Sequence, residues 1–216
     1  MKTNAAKICV LAMLSAISYI VVVLGRIPLV LFLKYDPKDI VITIGGFLYG
    51  PLAALMITVV VSFAEMFTIS ENGPIGLLMN IISGASFACT AAFIYKRYRS
   101  MKGAVAGLAV AWIFTTAVMV LWNYLITPLY LNVPRDEVAK LLIPAFIPFN
   151  LIKGGLNAAL TMLLYKPVKA ALQSSRLMPQ PQEMQKTGKA NMGIVIASVF
   201  VIATCVLWVL VLNGRL

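Results

Sequence analysis

Three polar side chains stand at helical spacing inside one apolar stretch. Asn150, Lys153 and Asn157 belong to the run Phe149-Asn150-Leu151-Ile152-Lys153-Gly154-Gly155-Leu156-Asn157. Separations of three and four residues put them on one face of a helix. The stripe then carries an ammonium and two amides, which together donate and accept hydrogen bonds. A bare lysine at membrane depth costs roughly 3 kcal/mol or more, and Lys153 sits about midway between Leu141 and Tyr165, far from the helix ends where snorkelling is easy. Two readings account for it. Either it is paired inside the protein, with Glu65 as partner, and fixes helix packing, or it belongs to a polar site for a ligand that enters the membrane.

Further polar groups gather on the same side of the chain's membrane segments. Glu65 lies late in the third segment, Asn80 early in the fourth, and Asn123 late in the fifth, between Trp122 and Tyr124. The loop Arg26–Lys38 contains Leu33-Lys34-Tyr35-Asp36-Pro37, which combines an aromatic ring, a cation and a carboxylate. It is either an ordinary solvated loop with an interfacial tyrosine or a lid on an outward-facing pocket. Asp36, Asp39, Glu71, Asp136 and Glu137 also fall on this side. Trp122, Tyr124 and Tyr130 are able to stack on a flat ring, although aromatic belts at membrane interfaces have the same composition.

The elements that position these groups are membrane helices. Sixty-one per cent of the 216 residues are apolar and 12% are charged, a balance that fits a bundle in lipid. Seven apolar segments are expected: about Ala5–Leu24, Asp39–Tyr49, Pro51–Ile69, Gly76–Tyr95, Gly103–Ile126, Leu141–Tyr165 and Met192–Leu212. Most approach the roughly twenty residues a spanning helix requires. The second is too short, holds Gly45-Gly46 and ends at the turn signal Gly50-Pro51; it reads as a tilted short helix or a half-inserted one. Pro144 and Pro148 fix or kink the start of the sixth. Residues 173–190 are polar, with Pro179 and Pro181, and read as a linker. The expected architecture is all-α: a six-helix substrate-binding membrane domain over residues 1–172, the linker, and an additional C-terminal membrane helix over 191–216. The first apolar run lacks a small-residue cleavage site after a short core and reads as a retained helix.

Basic residues orient the bundle. With the N-terminus inside, eleven Lys and Arg fall on inner loops and six on outer ones, with Lys153 in the membrane completing the eighteen. This asymmetry predicts a cytoplasmic N-terminus. The net charge of +11 is therefore a topology signal. The basic residues are scattered over short loops without an aromatic platform, so no nucleic-acid partner is expected.

The chain has no histidine, and Cys9, Cys89 and Cys205 show no ligand spacing, so neither a metal centre nor a cofactor is expected. No G-x-x-x-x-G-K-[ST] sequence occurs, and no carboxylate pair or nucleophile triad serves a hydrolase. The chain reads as a non-enzyme. A transporter of this kind would draw its energy from partner subunits. Ala12 and Ala16, one turn apart on the first helix, form a small-x-x-x-small face that suits close helix approach, either to a partner or within the bundle.

These residues resemble a family. Leu33-Lys34-Tyr35-Asp36-Pro37-Lys38-Asp39-Ile40, Gly45-Gly46-Phe47-Leu48-Tyr49-Gly50-Pro51, Ala12-x-x-x-Ala16, Trp122-Asn123-Tyr124 and Pro148-Phe149-Asn150-Leu151-Ile152-Lys153-Gly154 are similar to the S components of energy-coupling-factor (ECF) vitamin transporters, most of all the riboflavin-specific type, over about residues 5 to 172. The resemblance implies a six-helix vitamin-binding subunit in a bacterial cell membrane. It implies a transmembrane scaffold subunit and two cytoplasmic ATPases as partners, with Ala12 and Ala16 facing the scaffold. It also implies a riboflavin pocket in which Asn123, Asn150 and Lys153 hold the polar edge of the ring or the ribityl chain and Leu33–Asp36 cover it. The final apolar segment departs from the six-helix pattern. Two other functions stay open: an S component for thiamine, folate or a pyridoxine, and a non-transporting membrane assembly subunit.

Overall fold

The computed structural model describes residues 2–30, 33–70, 72–174 and 192–212. Seven helices are present among them: α1 (Lys2–Gly25), α2 (Lys38–Tyr49), α3 (Pro51–Thr68), α4 (Gly73–Tyr98), α5 (Met101–Leu131), α6 (Arg135–Ser174) and α7 (Met192–Leu212). All but α2 are long and apolar enough to cross a membrane. The all-α reading holds with one local addition. Between α1 and α2 the chain forms a small antiparallel hairpin of β1 (Ile27–Val30) and β2 (Leu33–Tyr35), with Ile27 opposite Tyr35 and Pro28 opposite Lys34.

The short segment resolves into α2, whose 12 residues rise about 18 Å. Nine of the 12, from Lys38 to Phe47, are buried, so α2 is the inner helix of the bundle. The glycine pair explains how it fits there. A Cβ on Gly45 would sit 2.6 Å from Ile57 Cδ1, and one on Gly46 2.9 Å from Ala92 Cβ. Both glycines are thus close-approach positions within the helix. The reversal comes afterwards, at Gly50 with φ +95°, and Pro51 opens α3 at a position where no intrahelical N–H is needed.

Proline shapes the helices that flank the polar groups. In α6 the ladder widens to one π-helical turn at Leu142–Phe146, around Pro144 and just before Pro148; a proline lacks the N–H that would bond back one turn. Pro128 lies inside α5 and Pro167 near the end of α6.

Gly154 and Gly155 let α5 and α6 touch: a Cβ on Gly154 would fall 2.2 Å from Trp112 Cδ1. On its other side Gly155 meets α7, where an added Cβ would lie 3.2 Å from Cys205 Sγ. Leu29, Tyr35, Phe149, Ile152 and Cys205 form one buried cluster, joining the hairpin, α6 and α7. Residues 175–191, which contain nearly all of the expected linker, lie outside the described residues, as do Glu71 and residues 213–216.

Candidate ligand site

A cavity opens under the hairpin at the pole where α3 meets α4 and α5 meets α6. It holds about 870 Å³ of empty space, its open mouth included. Seven of the ten residues expected to bind a ligand line it: Leu33, Lys34, Asp36, Asn80, Asn123, Asn150 and Lys153. The other three, Tyr35, Glu65 and Asn157, lie beneath the wall in the hydrogen-bonded layer that holds the lining in place. Sequence reasoning missed Arg26, Ser70, Asn72, Ser83 and the apolar lining of Met79, Met119 and Phe149. Phe149 was within reach, because it sits one residue before Asn150 and four before Lys153.

Two linked chains of polar contacts form the supporting layer. In the first, Lys38 pairs with Glu65 Oε1, Asn80 Nδ2 donates to Glu65 Oε2 at 3.0 Å, and Arg26 Nη2 lies 3.5 Å from that oxygen. Arg26 Nε also donates to Asp36 Oδ1 at 2.7 Å. In the second, Lys153 Nζ lies 3.4 Å from Asp39 Oδ2 and 3.3 Å from Ser83 Oγ. Asn157 Nδ2 donates to the same Asp39 oxygen at 3.3 Å, and Tyr35 Oη donates to Asn157 Oδ1 at 2.9 Å. Glu65, Asp39, Lys38 and Asn157 are at most 2% exposed. Charges so deeply buried persist only when paired and hydrogen-bonded.

This arrangement corrects the expected Lys153–Glu65 pair. Lys153 has Asp39 as its acid, and Glu65 has Lys38. The reason is α2. Adjacent residues on a helix point about 100° apart, so Lys38 and Asp39 at its first turn reach different neighbours, α3 and α6. The sequence places Lys38 at the end of the Arg26–Lys38 loop and Asp39 at the outer start of the second segment, yet both are buried. Two adjacent opposite charges opening a short apolar helix were the available signal.

The hairpin groups outside the spans show how the layer is tuned. Burial alone would raise the Asp36 carboxyl, but the charges of Lys38, Lys153 and Arg26 outweigh it and hold the group below the usual carboxylate range. Burial, with Asp39 and Asp36 nearby, pushes the Tyr35 phenol up, so Tyr35 stays a donor to Asn157.

The amides are aimed by local bonds. Asn150 Nδ2 donates to the Phe146 carbonyl at 2.8 Å, at the end of the π-helical turn, and Asn123 Nδ2 to the Met119 carbonyl at 2.7 Å. Thr127 Oγ1 donates to Asn123 Oδ1 at 3.1 Å. Trp122 and Tyr124 do not line the cavity, and Tyr124 is exposed; Phe149 is the aromatic ring among the described lining residues. Ala12 and Ala16 do not line the cavity. Both are exposed in an apolar groove between α1 and α3 that Leu11, Met56 and Val60 also line, so they are not contacts internal to the bundle.

A bundle of membrane helices around an inner polar cavity, capped by a hairpin, defines a substrate-binding membrane subunit. The family described as the substrate-specific component of ECF transporters matches residues 6–165, and the chain belongs to that family. It is a multi-pass membrane protein. The riboflavin transporter RibU of Staphylococcus aureus (strain TCH60) is 31% identical over 169 residues, 74% of this chain and 88% of the relative. The riboflavin transporter FmnP of Bacillus subtilis (strain 168) is 30% identical over 181 residues, 79% of this chain and 95% of the relative. A solved S component of a bacterial ECF transporter superposes with a TM-score of 0.67 at 30% identity, covering 79% of this chain and 99% of that one.

Proposed function

We propose that this chain is the riboflavin-binding specificity subunit of an ATP-driven ECF uptake transporter. The observation that carries the reading is the cavity itself: Asn80, Asn123, Asn150 and Lys153 supply polar contacts, and Phe149, Met79 and Met119 an apolar face. A flat heterocycle with a hydroxylated chain needs both. In the wall and the layer beneath it, Arg26, Lys38 and Lys153 pair with Asp36, Glu65 and Asp39. The names of the relatives point to the same vitamin.

In this reading Lys153, Asn150 and Asn123 contact the ligand, and Leu33–Asp36 close over it. Residues 1–172 form the binding unit, with the last helix appended. The exposed Ala12 and Ala16 face a transmembrane scaffold subunit, with two cytoplasmic ATPases completing the complex. The chain itself catalyses nothing and holds no cofactor. The excess of basic residues at the α4–α5 turn and the end of α6 supports a cytoplasmic N-terminus.

Titration of the purified chain with riboflavin, followed by flavin fluorescence, tests the assignment. Saturable quenching at micromolar ligand is expected, with no competition from thiamine, folate or pyridoxine. Absence of saturable quenching rejects riboflavin, and competition by another vitamin reassigns the site.

A further inference from the structure

A second cavity occupies the opposite pole of the bundle, where α2, α4 and α6 end. It is lined by Tyr49, Tyr95 and Tyr165 and by the cations Lys96, Arg99 and Lys169, with Phe47 and Gly50 at its base. Its floor is rigid. The Tyr95 and Tyr165 hydroxyls lie 2.8 Å apart, and Phe47 packs edge-on against Tyr165 with centroids 5.3 Å apart. Lys169 Nζ stands 5.9 Å from the centre of the Tyr165 ring. Lys7 of α1, over the Tyr49 ring at 6.0 Å, adds a fourth cation at the rim. No carboxylate among the described residues offsets them. Asp36, Asp39 and Glu65 belong to the first cavity, and Asp136 and Glu137 open α6 at that same far pole.

We propose that this cavity is a binding site for the phosphate headgroup of an anionic phospholipid. Three cations converge with phenol donors, which matches a phosphodiester anion and its polar headgroup. The position matches too. Tyrosines and basic residues at the end of a helical bundle mark the headgroup level. Phe93 and Leu52, near the rim along the chain, are 68% and 75% exposed and offer apolar surface to acyl chains. A basic recess between membrane helices differs from a merely basic loop, because its tyrosines are joined by packing and no carboxylate among the described residues pairs with its cations.

Native mass spectrometry of the full chain from mixed micelles with equal phosphatidylglycerol and phosphatidylcholine tests the proposal. The unaltered chain should retain phosphatidylglycerol preferentially. Removing Lys96, Arg99 and Lys169 by substitution to Gln should lower its retention about fivefold per cation. Arg97→Gln with Lys102→Gln, which removes two exposed charges that do not line the cavity, should keep it. The flavin titration reports on the other pole, and unchanged quenching in the triple variant shows that the bundle is intact. Equal retention of both lipids by the unaltered chain overturns the proposal whatever the variants do. So does an equal loss in the Arg97/Lys102 control. Displacement of the lipid by millimolar glycerol phosphate would show a soluble phosphate site and would overturn the lipid assignment.

Discussion

Lys153 Nζ lies 3.4 Å from Asp39 Oδ2, and through this contact a wall of the cavity is tied to the first turn of the innermost helix. The lysine is 13% exposed and the aspartate 1%. The ammonium therefore serves two partners, one buried acid and whatever enters the cavity. Lys153→Met separates the two roles. Loss of a hydrogen bond from a charged group, roughly 1.5–3 kcal/mol, should weaken riboflavin binding by about ten- to a hundredfold or somewhat more. Stranding Asp39 should also lower ligand-free stability, by about 3 kcal/mol. Adding Asp39→Asn should restore the melting temperature and leave the affinity low. Melting and titration of the unaltered chain and the two variants check both halves. Unchanged affinity with lowered melting would defeat the pocket assignment.

The hairpin is held to the bundle by Tyr35 Oη, which donates to Asn157 Oδ1 at 2.9 Å. Tyr35→Phe keeps the ring in its apolar cluster but leaves a buried amide oxygen without its donor. The cost is about 1–3 kcal/mol, borne by the closed position of the hairpin. Ligand dissociation should quicken about five- to a hundredfold, and amide hydrogen exchange over residues 27–35 should rise. Stopped-flow dissociation with exchange measurements on the same variant checks this. Unchanged exchange would mean that the apolar cluster alone holds the hairpin.

Asp36 sets a pH limit. Its folded-state carboxyl titrates below the usual range, so its ion pairs add stability that is fully present above the unfolded value of about 3.9. That stability is lost as pH falls through the depressed folded value. Melting should therefore be insensitive to this group from pH 8 down to about 5 and should fall in stronger acid. Asp36→Asn should be less stable at neutral pH and should lack that part of the acid slope. Parallel melting curves for both proteins across the acid range would sink the claim.

How much of this was legible depended on the length of the signal. The spanning helices were readable because twenty apolar residues in a row admit few other structures. Lys153 and its two asparagines were readable because a polar stripe in such a run has few innocent explanations. The pairing was not. Glu65 met Lys38 instead of Lys153 because a 12-residue helix entered the core, and no local pattern tells a short core helix from a half-inserted one. The hairpin was missed because its strands are only four and three residues long. Arg26 looked like a loop cation, and its two acids lie 10 and 39 positions away.

The last helix offers a prediction of its own. The described residues lining the cavity come from the hairpin and the residues flanking it, the α3–α4 connection and the helices α4 to α6, and none from α7. Deleting residues 180–216 should therefore leave the riboflavin affinity within about threefold. Stability should fall, because Cys205 is buried against Ile152 and Gly155 and its cluster includes Leu29 of the hairpin. Melting and titration of the truncated chain decide it. A large loss of affinity with preserved melting would place α7 among the elements that shape the site.

The proposed partner face is open to a sharper test. Ala12 and Ala16 are exposed along the α1–α3 groove, where small side chains allow another helix to approach closely. Ala12→Trp or Ala16→Trp should fill that groove. Uptake by cells that supply the scaffold and ATPases should be abolished, and riboflavin binding by the isolated chain should stay within about twofold, because the exposed positions touch no part of the cavity. Both assays are run on the same two variants, together with Ala12→Ser as a small control that keeps uptake. Parallel loss of binding and uptake would show that tryptophan disturbs the bundle itself. Full uptake with tryptophan in place would show that the scaffold docks elsewhere.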